Sequence, residues 1–65
     1  MKVMFIYPRW PDKTFEMDQV PRIGDFINDN HEIYKVLHCT WVIQNDYKGE
    51  GDKVSYLKCS LIDYK

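Results

Sequence analysis

The sequence predicts a single, mainly β domain: a small five-stranded, SH3-like, partly open barrel with little or no helix. The chain has 65 residues, which is the size of one domain. Its β-branched and aromatic residues fall into short runs that are separated by proline, glycine and asparagine. Five such runs are too few for a two-sheet sandwich, whereas a small barrel of this length closes most of its strand edges.

The first predicted strand runs from Lys2 to Tyr7 and is apolar on both faces, which is typical of a strand with neighbours on both sides. Pro8 and Pro11 follow it, and proline lacks the backbone donor that a central strand needs. We therefore expect a loop over residues 7–13. A second, amphipathic strand is predicted from Thr14 to Val20.

Two turns are predicted in the middle of the chain. Gly24 and Asp25 indicate the first, and a short strand begins after it at Phe26. The second turn is predicted at residues 28–31, because asparagine and aspartate tolerate left-handed backbone. A short helical turn over residues 25–30 is the alternative for this segment.

Two long strands are predicted for the second half of the chain, over residues 32–44 and 54–64, because both stretches are rich in β-branched and aromatic residues. The polar segment at residues 45–53 is predicted to be the hairpin loop between them. In a simple register Cys39 lies opposite Cys59, and both side chains point into the core. A β-bulge in either strand would change that register.

The composition predicts exposed aromatic side chains. The chain has two tryptophans, five tyrosines and three phenylalanines, and each occupies about 150–250 Å² when buried. This is more than a core of this size can hold, so some must lie at the surface, where large apolar side chains often mark contact sites. The tyrosines are the expected half-exposed members, with their hydroxyl groups in water.

The charge balance disfavours nucleic acid as a partner. Nine basic and ten acidic residues give a formal net charge of −1, whereas proteins that bind nucleic acid usually carry a basic patch. The apolar start, residues 1–7, is too short for a signal-peptide core or a membrane span. We therefore expect a cytoplasmic protein that does not bind membranes, with Cys39 and Cys59 as reduced, buried thiols.

No pattern in the sequence predicts an enzyme, a cofactor or a metal site. The two cysteines and two histidines lack the paired spacing of zinc ligands, and no phosphate-binding or nucleophile motif is present. His38 and Cys39 are neighbours in a predicted strand, so they point to opposite faces and do not pair as base and nucleophile.

The strongest candidate binding surface is the segment at residues 7–11, where two prolines flank an arginine and a tryptophan. Tryptophan, tyrosine and arginine dominate binding hot spots, and proline lowers the entropy cost of ordering a loop. The sequence therefore suggests a non-enzymatic protein-interaction module. The candidate partner-binding residues are Tyr7, Arg9, Trp10, Lys13 and Arg22. Alternatively, Trp10 folds back and caps one end of the barrel.

Three further hypotheses concern what the chain binds. If Arg9, Trp10, Lys13 and Arg22 converge, the chain could bind single-stranded nucleic acid by base stacking and phosphate contacts. The surplus aromatic residues could instead sequester a small, nucleotide-like ligand at a subunit interface. A second copy of the chain is also a candidate partner, because a homodimer covers an edge strand or an apolar patch.

One segment carries a family resemblance. Residues 20–27 read V-P-R-I-G-D-F-I, and Tyr34-Lys35-Val36 and Trp41 follow. In this layout the chain resembles a loose group of short, uncharacterised phage and bacterial β-barrel proteins with P-R-x-G-D-x-[IV], a polar turn, Y-x-V and a long hairpin. The resemblance extends over residues 1–64. It implies a small β-barrel and a phage origin, in which case the partner would be a host protein. It implies no activity and no catalytic residue.

Overall fold

The chain forms one curled sheet of five strands in a computed structural model that describes the backbone of residues 1–45 and 52–64 and the side chains of residues 1–43 and 56–64. The strands are β1 (Lys2–Ile6), β2 (Lys13–Glu16), β3 (Phe26–Asp29), β4 (Glu32–Asn45) and β5 (Asp52–Asp63). Their order is β2-β1-β5-β4-β3, and the sheet curls into a half-barrel. This confirms the predicted mainly β, partly open barrel. No helix in the described ranges is long and apolar enough to cross a membrane.

The first strand lies inside the sheet, as its two-sided apolarity predicts. β1 pairs antiparallel with β2 and parallel with β5. Val3 and Phe5 are buried on the inner face, and Met4 and Ile6 are half-buried on the outer face. The parallel pairing brings the start of the chain beside its end, so the core is made from segments that are distant in sequence.

The second strand is shorter than predicted, since β2 ends at Glu16 and not at Val20. Met17 and Val20 both pack against the core. In a continuous strand, residues three positions apart point to opposite faces, so these two could not both reach the core. The chain leaves the strand geometry after Glu16 for this reason.

Gly24 forms the first turn with a left-handed backbone at φ 93°. The amide of Asp25 donates to the carbonyl of Arg22 at 3.0 Å, and a carboxylate oxygen of Asp25 accepts from the amide of Arg22 at 2.8 Å. A positive φ at the third position of a four-residue turn is typical of type II and favours glycine. Backbone bonds from Gly24 and Asp25 to Val36, each of 2.9 Å, then join the turn to β4.

The second turn is a two-residue hairpin between β3 and β4. Asn30 and His31 have φ values of 54° and 69°, and positive values at both positions are typical of a type I′ turn. Asn28 and Asp29 lie in β3, so the turn is shorter than predicted. The alternative helical turn over residues 25–30 is not observed, because β3 occupies this segment.

The long hairpin has the predicted register at its centre. Cys39 pairs with Cys59, between two irregularities at Val36/His38 and Val42/Ile43 in β4. The pairing is therefore confirmed although the hairpin is irregular on both sides of it, with one extra residue in β4 at Leu37 and one in β5 at Ser55. Strand pairing continues to Asn45 and Asp52, so the predicted loop at 45–53 is shorter than expected, and its centre, residues 46–51, lies outside the described residues.

The core lies on the inner face of the half-barrel. Its buried residues are Val3, Phe5, Tyr7, Tyr34, Val36, Leu57, Cys59 and Leu61. Two of these are tyrosines, whereas the sequence predicts half-exposed tyrosines. Tyr7 and Tyr34 can be buried because their hydroxyl groups donate to the carboxylates of Asp29 and Glu32. Five other aromatic side chains are exposed, as the composition predicts: Trp10, Phe15, Phe26, Trp41 and Tyr64.

The distal half of the long hairpin extends away from the core. The longest dimension of the molecule is 46 Å, which matches 14 strand residues at about 3.3 Å each. Among the described residues, the strand pairs at 42–45 and 52–56 have no third strand beside them. Trp41 lies at the base of this part, opposite Leu57, where β1 still pairs with β5, and it is 51% exposed.

Candidate functional site

The main candidate site is a small cleft at one mouth of the half-barrel, where the loop after β1 crosses the β3–β4 turn. Its volume is about 190 Å³. It is lined by Tyr7, Trp10, Pro11, Lys13, Asp29, Asn30, Glu32 and Tyr34. We call this feature the mouth cleft. The loop after β1, the start of β2, the end of β3, the turn and the start of β4 therefore all contribute to it.

Two buried tyrosines form part of the cleft wall. The rings of Tyr7 and Tyr34 meet edge to face, with centroids 5.1 Å apart. The hydroxyl of Tyr7 donates to Asp29 Oδ2 and that of Tyr34 donates to Glu32 Oε2, both at 2.5 Å. Asp29 and Glu32 are cross-strand partners on either side of the type I′ turn. The hairpin thus places both carboxylates on one face, above the tyrosines.

Lys13 connects the two edges of the curled sheet. Its Nζ lies 2.9 Å from Asp29 Oδ2 and 5.3 Å from the centroid of the Tyr7 ring, within the range of a cation–π contact. Lys13 belongs to β2 and Asp29 to β3, which are the edge strands. The ion pair therefore bridges the open side of the half-barrel at the cleft.

Arg9 ties the loop to the ends of two strands. Its Nη1 donates to Asp63 Oδ2 at 2.7 Å, and its Nη2 donates to Glu32 Oε2 at 3.5 Å. An exposed ion pair of this kind contributes only about 0–1 kcal/mol to stability. Two of them on one guanidinium, together with the flanking prolines, nevertheless restrict the positions that the loop can take.

Trp10 follows Arg9 in the loop, lies at the edge of the mouth cleft and is 54% exposed. One part of the indole therefore lines the mouth of the half-barrel and the other part is open to solvent, and Trp10 is not one of the buried core residues. We call the exposed area formed by Arg9, Trp10 and Pro11 the Trp10 surface.

The hydrogen bonds keep the carboxylates ionised and the phenols protonated. The hydroxyl of Tyr7, and then Lys13, hold the pKa of Asp29 below its ordinary value. The hydroxyl of Tyr34, followed by Trp10 and Arg9, lowers the pKa of Glu32. Burial and the bond to Asp29 raise the pKa of Tyr7. All these shifts lead away from neutral pH, so these pairs are poorly placed to exchange protons there. Their chemistry is that of fixed hydrogen bonds and charges.

The structure brings four of the five predicted binding residues together. Tyr7, Trp10 and Lys13 line the mouth cleft, and Arg9 contacts Glu32 in its wall. Tyr7 is only 6% exposed and supports the site from below. Arg22 is elsewhere: the carbonyl of its neighbour Pro21 accepts a hydrogen bond from the Cys39 thiol at 3.8 Å.

The separation of Arg22 from the cleft follows from the length of β4. Arg9 contacts Glu32 at the start of this strand, whereas Pro21 contacts Cys39, seven positions further on. At about 3.3 Å per residue these points are about 23 Å apart. Arg22 therefore does not converge with the basic residues of the cleft.

Sequence reasoning missed the acceptors of the site, which are Asp29, Glu32 and Asp63. A type I′ reading of Asn30-His31 would have placed Asp29 and Glu32 side by side, since the residues that flank such a turn are cross-strand partners. No local signal marks Asp63, because it lies 54 positions from Arg9 in the sequence.

A second groove lies on the open side of the half-barrel, between the edge strands β2 and β3. Phe15 lies on its β2 side, and Phe26 and Ile27 on its β3 side. Within the described ranges neither outer edge pairs with another strand. Unpaired strand edges can accept a further strand from another chain, so this groove is a second area that a partner could cover.

The described residues contain no group of three or more histidine, cysteine, aspartate or glutamate side chains that could hold a metal ion. Comparisons with protein-family models, with curated proteins and with solved structures gave no match. Function is therefore inferred from the residues and their geometry.

Proposed function

We propose that this chain is a non-enzymatic protein-interaction module that binds a partner protein through the Trp10 surface. The observation that carries the proposal is an exposed tryptophan beside an arginine that two ion pairs hold in place. Tryptophan and arginine are the residues most enriched in binding hot spots. A loop that is already ordered loses little entropy when it binds.

The size of the mouth cleft supports a protein partner over a small ligand. Pockets for small molecules usually measure about 300–1,000 Å³, whereas this cleft measures about 190 Å³. A space of that size suits one or two side chains of a partner, with Trp10 packed against them. SH3-like barrels take peptides in aromatic-lined grooves, and we propose that this half-barrel uses its mouth in the same way.

The charges around the cleft also favour protein over nucleic acid. Arg9 and Lys13 are both paired with carboxylates, so a phosphate would have to compete with Asp29, Glu32 and Asp63. Arg22, which the nucleic-acid hypothesis requires on the same surface, follows Pro21, whose carbonyl contacts Cys39 at a different part of β4. The resemblance to phage proteins leads us to propose that the partner is a host protein in the host cytoplasm.

Capture from a lysate tests the proposal. The tagged chain is incubated with nuclease-treated lysate of its natural host cell, in parallel with Trp10→Ala and Trp41→Ala. Trp41 is the matched control because its exposure is 51% against 54% for Trp10, and it lies nine positions along β4 from Glu32, at the base of the distal hairpin. We expect one protein that the wild type and Trp41→Ala retain and Trp10→Ala loses, with all three chains folded by circular dichroism.

Other outcomes would replace the proposal. Binding that survives Trp10→Ala but not Trp41→Ala would place the interface around Trp41, at the base of the distal hairpin. Material that the chain captures from an untreated lysate, but not from the nuclease-treated lysate or with added salt, would indicate nucleic acid, because phosphate contacts release counterions. A sedimentation coefficient that rises with protein concentration, without any captured protein, would indicate a homodimer, with the β2–β3 groove as the surface to mutate next.

A further inference from the structure

The two cysteines form a pair in the middle of the long hairpin. Cys39 and Cys59 are direct cross-strand partners in β4 and β5, and their Sγ atoms lie 3.8 Å apart as free thiols. Directly opposite residues in antiparallel strands have Cα atoms about 4.5–5.5 Å apart. This lies inside the range of about 4.4–6.8 Å that disulfides span. A bond between the sulfurs therefore needs side-chain rotation and no shift of the strands.

We propose that Cys39 and Cys59 are a redox-active dithiol, a modification site that a peroxide closes to an intramolecular disulfide. The pair is unlike two isolated buried thiols in one respect: each sulfur has the other as its nearest reactive group. The irregularities at Val36/His38 and Val42/Ile43 lie on both sides of the pair and not at it, so the register at the cysteines is that of a regular ladder.

Burial assigns different roles to the two sulfurs. Cys59 is 0% exposed, whereas Cys39 is half-buried and also donates to the Pro21 carbonyl at the edge of the core. Burial, and then the hydrogen bond with Cys39, raise the pKa of Cys59 to about 12. Cys39 is therefore the sulfur that the oxidant reaches, and Cys59 is the sulfur that completes the bond.

The reaction balances with one equivalent of hydrogen peroxide. The Cys39 thiol first releases its proton, and the thiolate attacks one peroxide oxygen. The O–O bond breaks, Cys39 becomes a sulfenic acid, and the hydroxide that leaves takes up the released proton to form water. The sulfur of Cys59 then attacks the sulfur of Cys39. The S–O bond breaks, the departing oxygen takes the proton of Cys59, and the net products are one disulfide and two waters. Both thiols are oxidised, and the peroxide is reduced.

Closure has two consequences for the fold. The bond closes a loop of 20 residues between β4 and β5, which removes conformations from the unfolded chain, so the melting temperature should rise by roughly 12–24 °C. Cys39 also loses the proton that it donates to the Pro21 carbonyl, which frees one contact of the segment before the Gly24 turn. Neither consequence depends on the Trp10 surface.

The test treats the reduced wild-type chain with hydrogen peroxide and measures its intact mass and its free thiols after denaturation. We expect the loss of two hydrogen atoms and of both thiols, a monomer on a non-reducing gel, a higher melting temperature, and full reversal by dithiothreitol. In Cys39→Ser, the remaining Cys59 should stay a thiol under the same treatment. The decisive measurement is made on the wild type and does not depend on a variant that folds.

Three results would overturn the proposal. Both thiols could remain free while a cysteine peptide in the same tube is oxidised. The chain could gain oxygen atoms as sulfinic acid without forming a disulfide, or it could form disulfide-linked dimers. The first would show that peroxide does not oxidise Cys39 in the native protein, and the other two would show that Cys59 does not attack the oxidised Cys39.

Discussion

Replacement of Tyr7 by phenylalanine tests the interpretation that this residue supports the site from inside the core. The substitution keeps the ring, with its edge contacts to Phe5 and Tyr34, and removes only the hydroxyl that donates to Asp29 at 2.5 Å. A hydrogen bond to a charged acceptor contributes about 1.5–3 kcal/mol to stability. The lower end applies here, because water can reach Asp29, whose side chain is 24% exposed.

A loss of about 1.5 kcal/mol should lower the melting temperature of so small a domain by roughly 6–12 °C. Thermal unfolding at neutral pH, followed by circular dichroism, measures this shift. Tyr64→Phe is the matched control, because Tyr64 is 52% exposed and its hydroxyl makes no hydrogen bond among the described residues. It should melt close to the wild type. Equal melting temperatures for Tyr7→Phe and the wild type, or an equal fall in both variants, would refute the assigned role of Tyr7.

Two further predictions concern acid stability and the core. The pKa of Asp29 is lowered from its ordinary 3.8, so its ionised form stabilises the fold above that pH and this contribution is lost as the pH falls through the lower native value. Asp29→Asn should therefore lower the melting temperature at neutral pH and flatten its decline as the pH falls below about 4. An unchanged decline of the melting temperature in acid would count against the role of this carboxylate. Val36→Ala, in the core, should lower the free energy of unfolding, measured by chemical denaturation, by about 1–3 kcal/mol. Ile23→Ala, at an exposed position, should change it by less than about 0.5 kcal/mol. Similar losses at both sites would contradict the core assignment.

The strands and their pairing in the long hairpin could be predicted because they depend on local patterns. Alternating apolar residues set the faces of the strands, and the near-symmetry of the hairpin set Cys39 opposite Cys59. The end of β2 could not be predicted, since it depends on Met17 and Val20 both packing onto a core that the other strands build. A pattern within one segment does not contain that information.

The candidate site could be predicted only in part. Arg9 and Trp10 were identifiable because composition and proline content mark a surface loop. The burial of Tyr7 depends on Asp29, which reaches it through the turn geometry of another hairpin. Arg22 was grouped with the loop by charge alone. Charge does not predict which part of β4 the segment around Arg22 packs against. Contacts between distant segments therefore account for most of what sequence reasoning missed.

The central claim is that the Trp10 surface binds a protein, and the affinity of the captured partner for three forms of the chain tests it most directly. Isothermal titration calorimetry would compare the wild type, Trp10→Ala and Trp41→Ala under one set of conditions. A hot-spot residue contributes at least about 2 kcal/mol, so we expect Trp10→Ala to weaken binding at least about 30-fold. Trp41→Ala should bind like the wild type. Equal affinities for the wild type and Trp10→Ala, or a larger loss in Trp41→Ala, would contradict the claim.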